Sequence, residues 1–272
     1  MIYSKVRESV EPPTYVIGSG WWCTDEADDV VNPKRKKLGT NLQREVEFFK
    51  IWLESVERCS SPKSIVVVDS ASPIKPDADL RARSSWIELP INARHATDHI
   101  GKWSGWLRSV LMSGQYALTT EAEYFVYVEQ DCLLNGEDII ERCIGTMKTG
   151  LMFGSGDGTP QPLQQSFFLI HRSRISGFLK NLSELEAPDS ELSPEWKFIF
   201  AAWRPLVLLA NSGFLRRPKT RDRIVQLASR YFYDTLPVGS GRSRPVPFDA
   251  SHYYFQHGSE DEISRHLEVT RA

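Results

Sequence analysis

Ser64–Asp69 reads SIVVVD and Tyr124–Asp131 reads YFVYVEQD, and these two stretches decide the fold. Each opens with an unbroken apolar run rather than an alternation, rich in the β-branched and aromatic residues that suit extended backbone. A strand that is apolar on both sides is buried on both sides, as in a largely parallel sheet covered by helices on each face. Each run also ends in acid. Asp69 closes the first, and Glu129, Gln130 and Asp131 leave the second together.

Outward from these runs the chain alternates strand and helix patterns. Thr14–Cys23 (TYVIGSGWWC) reads as a buried first strand that opens into a loop at Gly18-Ser19-Gly20. From Thr40 the apolar residues Leu42, Val46, Phe49, Leu53 and Val56 recur at three and four, the spacing of an amphipathic helix, which Ser60-Ser61-Pro62 ends. A weaker strand is predicted over 86–89, a helix over 102–116 and a helix over 136–147. Strands over 151–154 and 165–171 and a helix over 173–182 follow. An apolar, aromatic-rich segment over 195–209 is interrupted by Pro205, and a helix is predicted over 222–233. The Gly, Ser, Arg and Pro-rich stretch 239–247 reads as a mobile loop. The predicted fold class is α/β, a mostly parallel central sheet flanked by helices, in a single domain over 1–272.

Composition narrows the function classes. The chain has 272 residues, 41% hydrophobic and 25% charged, enough for a sizeable core. Lys and Arg number 33 against 35 Asp and Glu, a balance that argues against electrostatic binding of nucleic acid. Cys23, Cys59, Cys132 and Cys143 form no C-x-x-C pair, so neither a zinc ribbon nor a disulfide framework is suggested. The first twenty residues carry Lys, Arg, two Glu and two Pro, unlike a signal peptide, and a cytoplasmic protein that starts here is expected. Gly18-Ser19-Gly20 lacks the third glycine of a dinucleotide fingerprint, and neither a Walker lysine motif nor G-x-S-x-G occurs.

Ligands of open α/β sheets sit outside the carboxyl ends of the strands, so Asp69, Glu129 and Asp131 carry more weight than acids on helices. A turn just past a strand can aim Glu129 and Asp131 at one hard cation, whose remaining ligands commonly come from a diphosphate. A single such acid serves equally well as a helix cap or turn residue. His95 and His99 are four apart and would share a helix face, but Ala96 stands where a zinc-protease motif needs Glu. The basic runs Lys34–Lys37 and Arg216–Arg223 suit solvated faces, phosphates or anionic lipid headgroups.

The order YVIGSG, helix, SIVVVDS, helix, EYFVYVEQDCLL resembles the nucleotide-binding half of a GT-A glycosyltransferase, over residues 14–135 and more loosely across the whole chain. The resemblance implies a GT-A-like fold with a nucleotide-sugar-binding half over 14–135 and an acceptor-binding half over 136–272. It implies hexosyl transfer from a nucleoside diphosphate-sugar donor to the hydroxyl of a glycan or lipid-linked acceptor, assisted by Mn2+ or Mg2+; inversion is expected only if Glu195 or Asp157 serves as a base, since a retaining enzyme needs none. Gly18 and Ser19 would hold the nucleoside and Asp69 would touch its base or ribose. Glu129-Gln130-Asp131 would stand where Asp-x-Asp is expected, with Glu129 in place of the first Asp. His257, ahead of His252, would complete the metal shell or touch the diphosphate, and Arg94 or Lys102 would pair with that diphosphate. Glu195, behind a Pro194 preset for a helix start, would be the general base, with Asp157 the competing candidate. A lipid-linked acceptor implies a peripheral membrane contact. Two other readings stay open: a non-catalytic glycan- or partner-binding protein on a degenerate transferase fold, and a nucleotidyltransferase.

Overall fold

A computed structural model describes residues 12–24, 40, 42–213 and 218–271. The N-terminal half runs β1 (Tyr15–Trp21), α1 (Val46–Cys59), β2 (Ser64–Asp69), α2 (Ala78–Arg81), β3 (Ser85–Glu88), α3 (Gly105–Thr119) and β4 (Tyr124–Val128). A short strand β5 (Cys132–Asn135) and helix α4 (Ile139–Thr146) lead to β6 (Leu151–Ser155), β7 (Leu163–His171) and α5 (Arg172–Glu184). Helices α6 (Pro194–Ala201), α7 (Arg204–Asn211) and α8 (Pro218–Tyr231) follow, then β8 (Asp234–Thr235), β9 (Ser240–Gly241), β10 (Tyr253–Gln256) and α9 (Glu260–Arg271).

Among the described residues the central sheet has seven strands in the order β3-β2-β1-β4-β7-β6-β8, and β5, β10 and β9 form a second, small sheet. β1 to β4 are mutually parallel, β7 runs against both β4 and β6, and β8 is parallel to β6. β7 is therefore the one strand pointing the other way, and the mixed α/β fold with a mostly parallel sheet is the one the apolar runs predict.

Burial follows the strand period. Tyr15, Ile17, Ile65, Val67, Val126 and Val128 face a core built with α1 and the small sheet. Val16, Val66, Phe125 and Tyr127 face a second core built with α3, α5 and α6. Successive side chains point to opposite faces, so two cores require the continuous apolar runs seen in the sequence. Ser104 starts α3 by accepting the Leu107 N–H at 3.3 Å. Pro205 lies in the first turn of α7, a position that needs no N–H donor, so it separates α6 from α7 rather than kinking one helix.

Three expectations are corrected. Gly18-Ser19-Gly20 is not a loop: it lies inside β1, which pairs with β2 on one side and β4 on the other. Stretch 239–247 is tied down rather than loose: Ser240–Gly241 pairs with β10, and the Arg242 N–H donates to Gln164 Oε1 at 2.6 Å. Gly241 adopts φ 57 with the Gln164 side chain 2.3 Å from where a Cβ would stand, so both its conformation and its contact require glycine. The 95–99 stretch forms a turn, not a helix, and His95 Nδ1 faces the Thr97 hydroxyl at 3.2 Å. The basic run Lys34–Lys37 lies outside the described residues, as do Arg216 and Arg217.

Candidate active site

Registers place the acids. β2 ends at Asp69 opposite Trp21 of β1, and β3 ends at Glu88 opposite Asp69. β4 ends at Val128, so Glu129 and Asp131 leave at this same carboxyl edge. The Glu129 N–H is held by the Ser166 carbonyl at 2.8 Å, and its carbonyl turns the chain by accepting the Cys132 N–H at 2.9 Å.

β5 begins at once, and β10 lies antiparallel to it with Gln256 opposite Cys132. That register brings Gln256 and His257 beside the acidic turn. β9 runs parallel to β10 with Gly241 opposite Phe255, which delivers the next residue, Arg242, to the same point. Glu195, in the first turn of α6, completes the group.

The contacts are direct. Gln256 Nε2 donates to Glu129 Oε2 at 2.6 Å and to Asp131 Oδ1 at 3.1 Å. His257 Nδ1 lies 2.8 Å from Asp131 Oδ2, and Arg242 Nη2 lies 3.0 Å from Glu195 Oε1. His257 holds φ 56, a left-handed conformation that costs free energy in a non-glycine residue and that clusters at functional sites. Glu129 is partly buried, and burial, reinforced by the Asp131 charge, pushes its carboxyl above the usual carboxylate range against the opposing pull of Arg242.

α6 is fixed from behind. Lys197 Nζ sits 2.6 Å from Asp189 Oδ1 with both side chains fully buried, and Asp189 Oδ2 accepts the Ser104 N–H at 2.6 Å. Burial lowers the Lys197 pKa, opposed by Asp189. This pair anchors the helix bearing Glu195 to the cap of α3.

The remaining residues singled out in the sequence lie apart from this cluster or have other partners. The Gly18 hydrogen faces Ser113 and Phe125, with Ser113 Oγ only 2.3 Å from an added Cβ, and Ser19 is buried within the strand. Gly18 serves close packing of α3 on β1, and neither residue lies on a loop.

Asp69 is wholly buried, its Oδ1 accepting the Ser72 N–H at 2.9 Å and its Oδ2 facing Lys75 Nζ at 3.3 Å. It organises the loop after β2, and its Oδ2 accepts no hydrogen bond beyond the Lys75 ion pair. Lys102 Nζ donates to the Ser183 carbonyl at 2.7 Å, at the end of α5, and so points at that helix terminus. Arg94 is exposed, with φ 65, and its carbonyl accepts the Gly105 N–H at the start of α3. Asp157 is exposed on the loop after β6, where its carbonyl accepts the Ser243 hydroxyl at 2.6 Å, next to Arg242. His252 Nε2 lies 3.0 Å from the Glu137 carbonyl.

Sequence reading missed Arg242, Gln256 and Gln130. Gln130 Oε1 accepts the Trp22 N–H at 2.8 Å, fastening the exit of β1 to the acidic turn. Its position between two acids was the available signal; Arg242 carried none, being one arginine in a stretch that reads as loose.

No family model matches the chain, and no curated protein does. Among solved structures, a glycosyltransferase involved in glycosylation of the major capsid of PBCV-1 aligns at 12% identity over 96% of this chain and 100% of its own, with a TM-score of 0.42. The mannosyltransferase PcManGT from Pyrobaculum calidifontis, in complex with GDP-Man and Mn2+, aligns at 13% identity over 80% of this chain and 69% of its own, with a TM-score of 0.43. The glycosyltransferase GlyE of Streptococcus pneumoniae TIGR4 aligns at 10% identity over 83% of this chain and 45% of its own, with a TM-score of 0.42. All three of these distant likenesses are described as glycosyltransferases.

Proposed function

We propose that the chain is a GT-A-type glycosyltransferase that moves a hexosyl group from a nucleoside diphosphate-sugar to a hydroxyl of a glycan or lipid-linked acceptor, with inversion. The observation that carries this reading is the convergence of Glu129, Asp131, Glu195, Arg242, Gln256 and His257 at the carboxyl edge of the sheet. The N-terminal half supplies the donor side, from Trp22, the loop organised by Asp69, and the exposed Arg94. The C-terminal half supplies the acceptor side.

The donor set fits a divalent cation held by two protein ligands. Asp131 Oδ2 and His257 Nδ1, 2.8 Å apart, are spaced like neighbouring ligands around an ion with bonds of about 2.1 Å. Among the described residues no group of three His, Cys, Asp or Glu side chains is arranged to hold a metal, so the other positions fall to water and diphosphate oxygens, as is common for Mg2+. Such an ion, when bound, neutralises charge on the departing diphosphate.

Gln256 holds Glu129 and Asp131 in register. Glu195 takes the proton of the acceptor hydroxyl as its oxygen attacks the anomeric carbon. Arg242 holds that carboxylate in place.

Calorimetry with a panel of nucleoside diphosphates, with and without Mn2+, tests the site. Expected is Mn2+-dependent binding of one nucleotide, weakened about tenfold or more by Asp131→Asn. Absence of nucleotide binding in either condition would remove the basis of the proposal.

A further inference from the structure

We propose that the face formed by α7 and α8 docks on an anionic membrane surface. Trp203 is 44% exposed, Leu208 58%, Leu227 56% and Tyr231 61%, so four large apolar side chains on this short part of the chain are left in water. Single exposed apolar residues are ordinary, but a concentration of them marks an interaction surface. Trp203, just before α7, stacks on Phe232, just after α8, with ring centroids 4.7 Å apart, which joins the two helices at this face. Within α8, Arg223, Leu227 and Tyr231 recur every four residues and share one side of the helix. All three are exposed, and the Arg230 guanidinium lies 5.9 Å from the Tyr231 ring.

Charge selects the occupant. The described cations at this face are Arg223 and Arg230, both exposed, in a stretch, 216–231, whose sequence holds six Arg and Lys residues against the single Asp222 in a chain of overall balance −2. An apolar helix face bordered by cations is the arrangement that lies in the plane of an anionic bilayer, with Leu and Trp at the acyl boundary and Arg at the headgroups. A second copy of this chain would bring the same cations against themselves. No helix among the described residues is long and apolar enough to cross a membrane, so the contact is peripheral.

The test uses no sugar donor and is independent of the proposed chemistry. The full chain is floated with phosphatidylcholine vesicles, and with vesicles containing about one third phosphatidylserine. Expected is binding to the anionic vesicles at least about tenfold tighter than to the neutral ones, abolished in high salt. Arg223→Gln and Arg230→Gln should each weaken binding about fivefold, and a Leu208→Glu, Leu227→Glu pair should weaken it further. Circular dichroism identifies any variant that fails to fold, and the two Arg→Gln exchanges on exposed positions carry the test in that event. Equal affinity for both vesicles, no binding to either, or unchanged binding by the folded variants would overturn the proposal. So would a dimer in solution that the Leu→Glu pair dissociates without any vesicle binding, which would assign the face to a second copy.

Discussion

Glu195 and Arg242 come from segments 47 residues apart, and their contact orients the buried carboxylate that the proposed mechanism uses as its general base. Glu195→Gln preserves shape and hydrogen bonding but cannot take a proton. It should lower kcat by about 10²- to 10⁴-fold while leaving donor affinity within about threefold of wild type, as read by steady-state kinetics beside calorimetry. A Gln variant with near wild-type turnover would move the role to Asp157, where Asp157→Asn becomes the deciding measurement. Much of this was legible beforehand. Ser193-Pro194-Glu195 announces a helix start, and Glu129 and Asp131 leave an unmistakable strand. Arg242 was not legible, because its reach depends on Gln164 holding its backbone from another strand, and nothing local in the sequence reports that.

Within β1, the glycines that read as a loop are instead a packing surface. α3 crosses close over the strand, and Ser113, Ser109 and Tyr127 fill the space that side chains at Gly18 and Gly20 would need. Gly18→Ala would force a Cβ against Ser113 and Phe125 and should destabilise the fold by about 1 to 3 kcal/mol, measured as a lowered midpoint in urea unfolding. An unchanged midpoint would mean that α3 can slide on the sheet and that Gly18 is not a packing requirement. Glycine is ambiguous in a sequence because the same absence of a side chain permits a turn and a close approach. The apolar residues on each side, Val16, Ile17 and Trp21, were the better guide to the element, since their burial on alternate faces persists through the glycines. The short strands β5, β8 and β9 escaped notice for a related reason: two to four residues carry too little periodicity to register.

At the scale of the whole molecule, the C-terminal segment closes the structure by packing α9 on the small sheet. His266 is buried there, its Nδ1 3.2 Å from the Tyr253 hydroxyl and its ring 5.4 Å from Phe255. Burial, with a further push from Arg58, brings its pKa down to about 4. Below about pH 6.5 the unfolded chain takes up a proton that the folded state refuses. Unfolding is therefore favoured progressively as the pH falls from about 6.5 to 4, by up to roughly 3 kcal/mol, and no further loss comes from this group below that. His266→Gln should flatten this part of the stability curve, measured by denaturant titrations across the range; a parallel curve would show that other groups dominate. The sequence alone determined the class of fold, because two apolar runs buried on both faces admit few architectures, and it determined which acids end those runs. Only the tertiary structure decided which of the marked residues meet. The register of β10 on β5 and of β9 on β10 carries His257, Gln256 and Arg242 to the acidic turn, while Ser72 and Lys75 engage Asp69 and the distant Ser183 carbonyl engages Lys102. Strand pairing is long-range, set by side chains remote in sequence, so an ordered list of residues marks the candidates and the packed sheet selects among them.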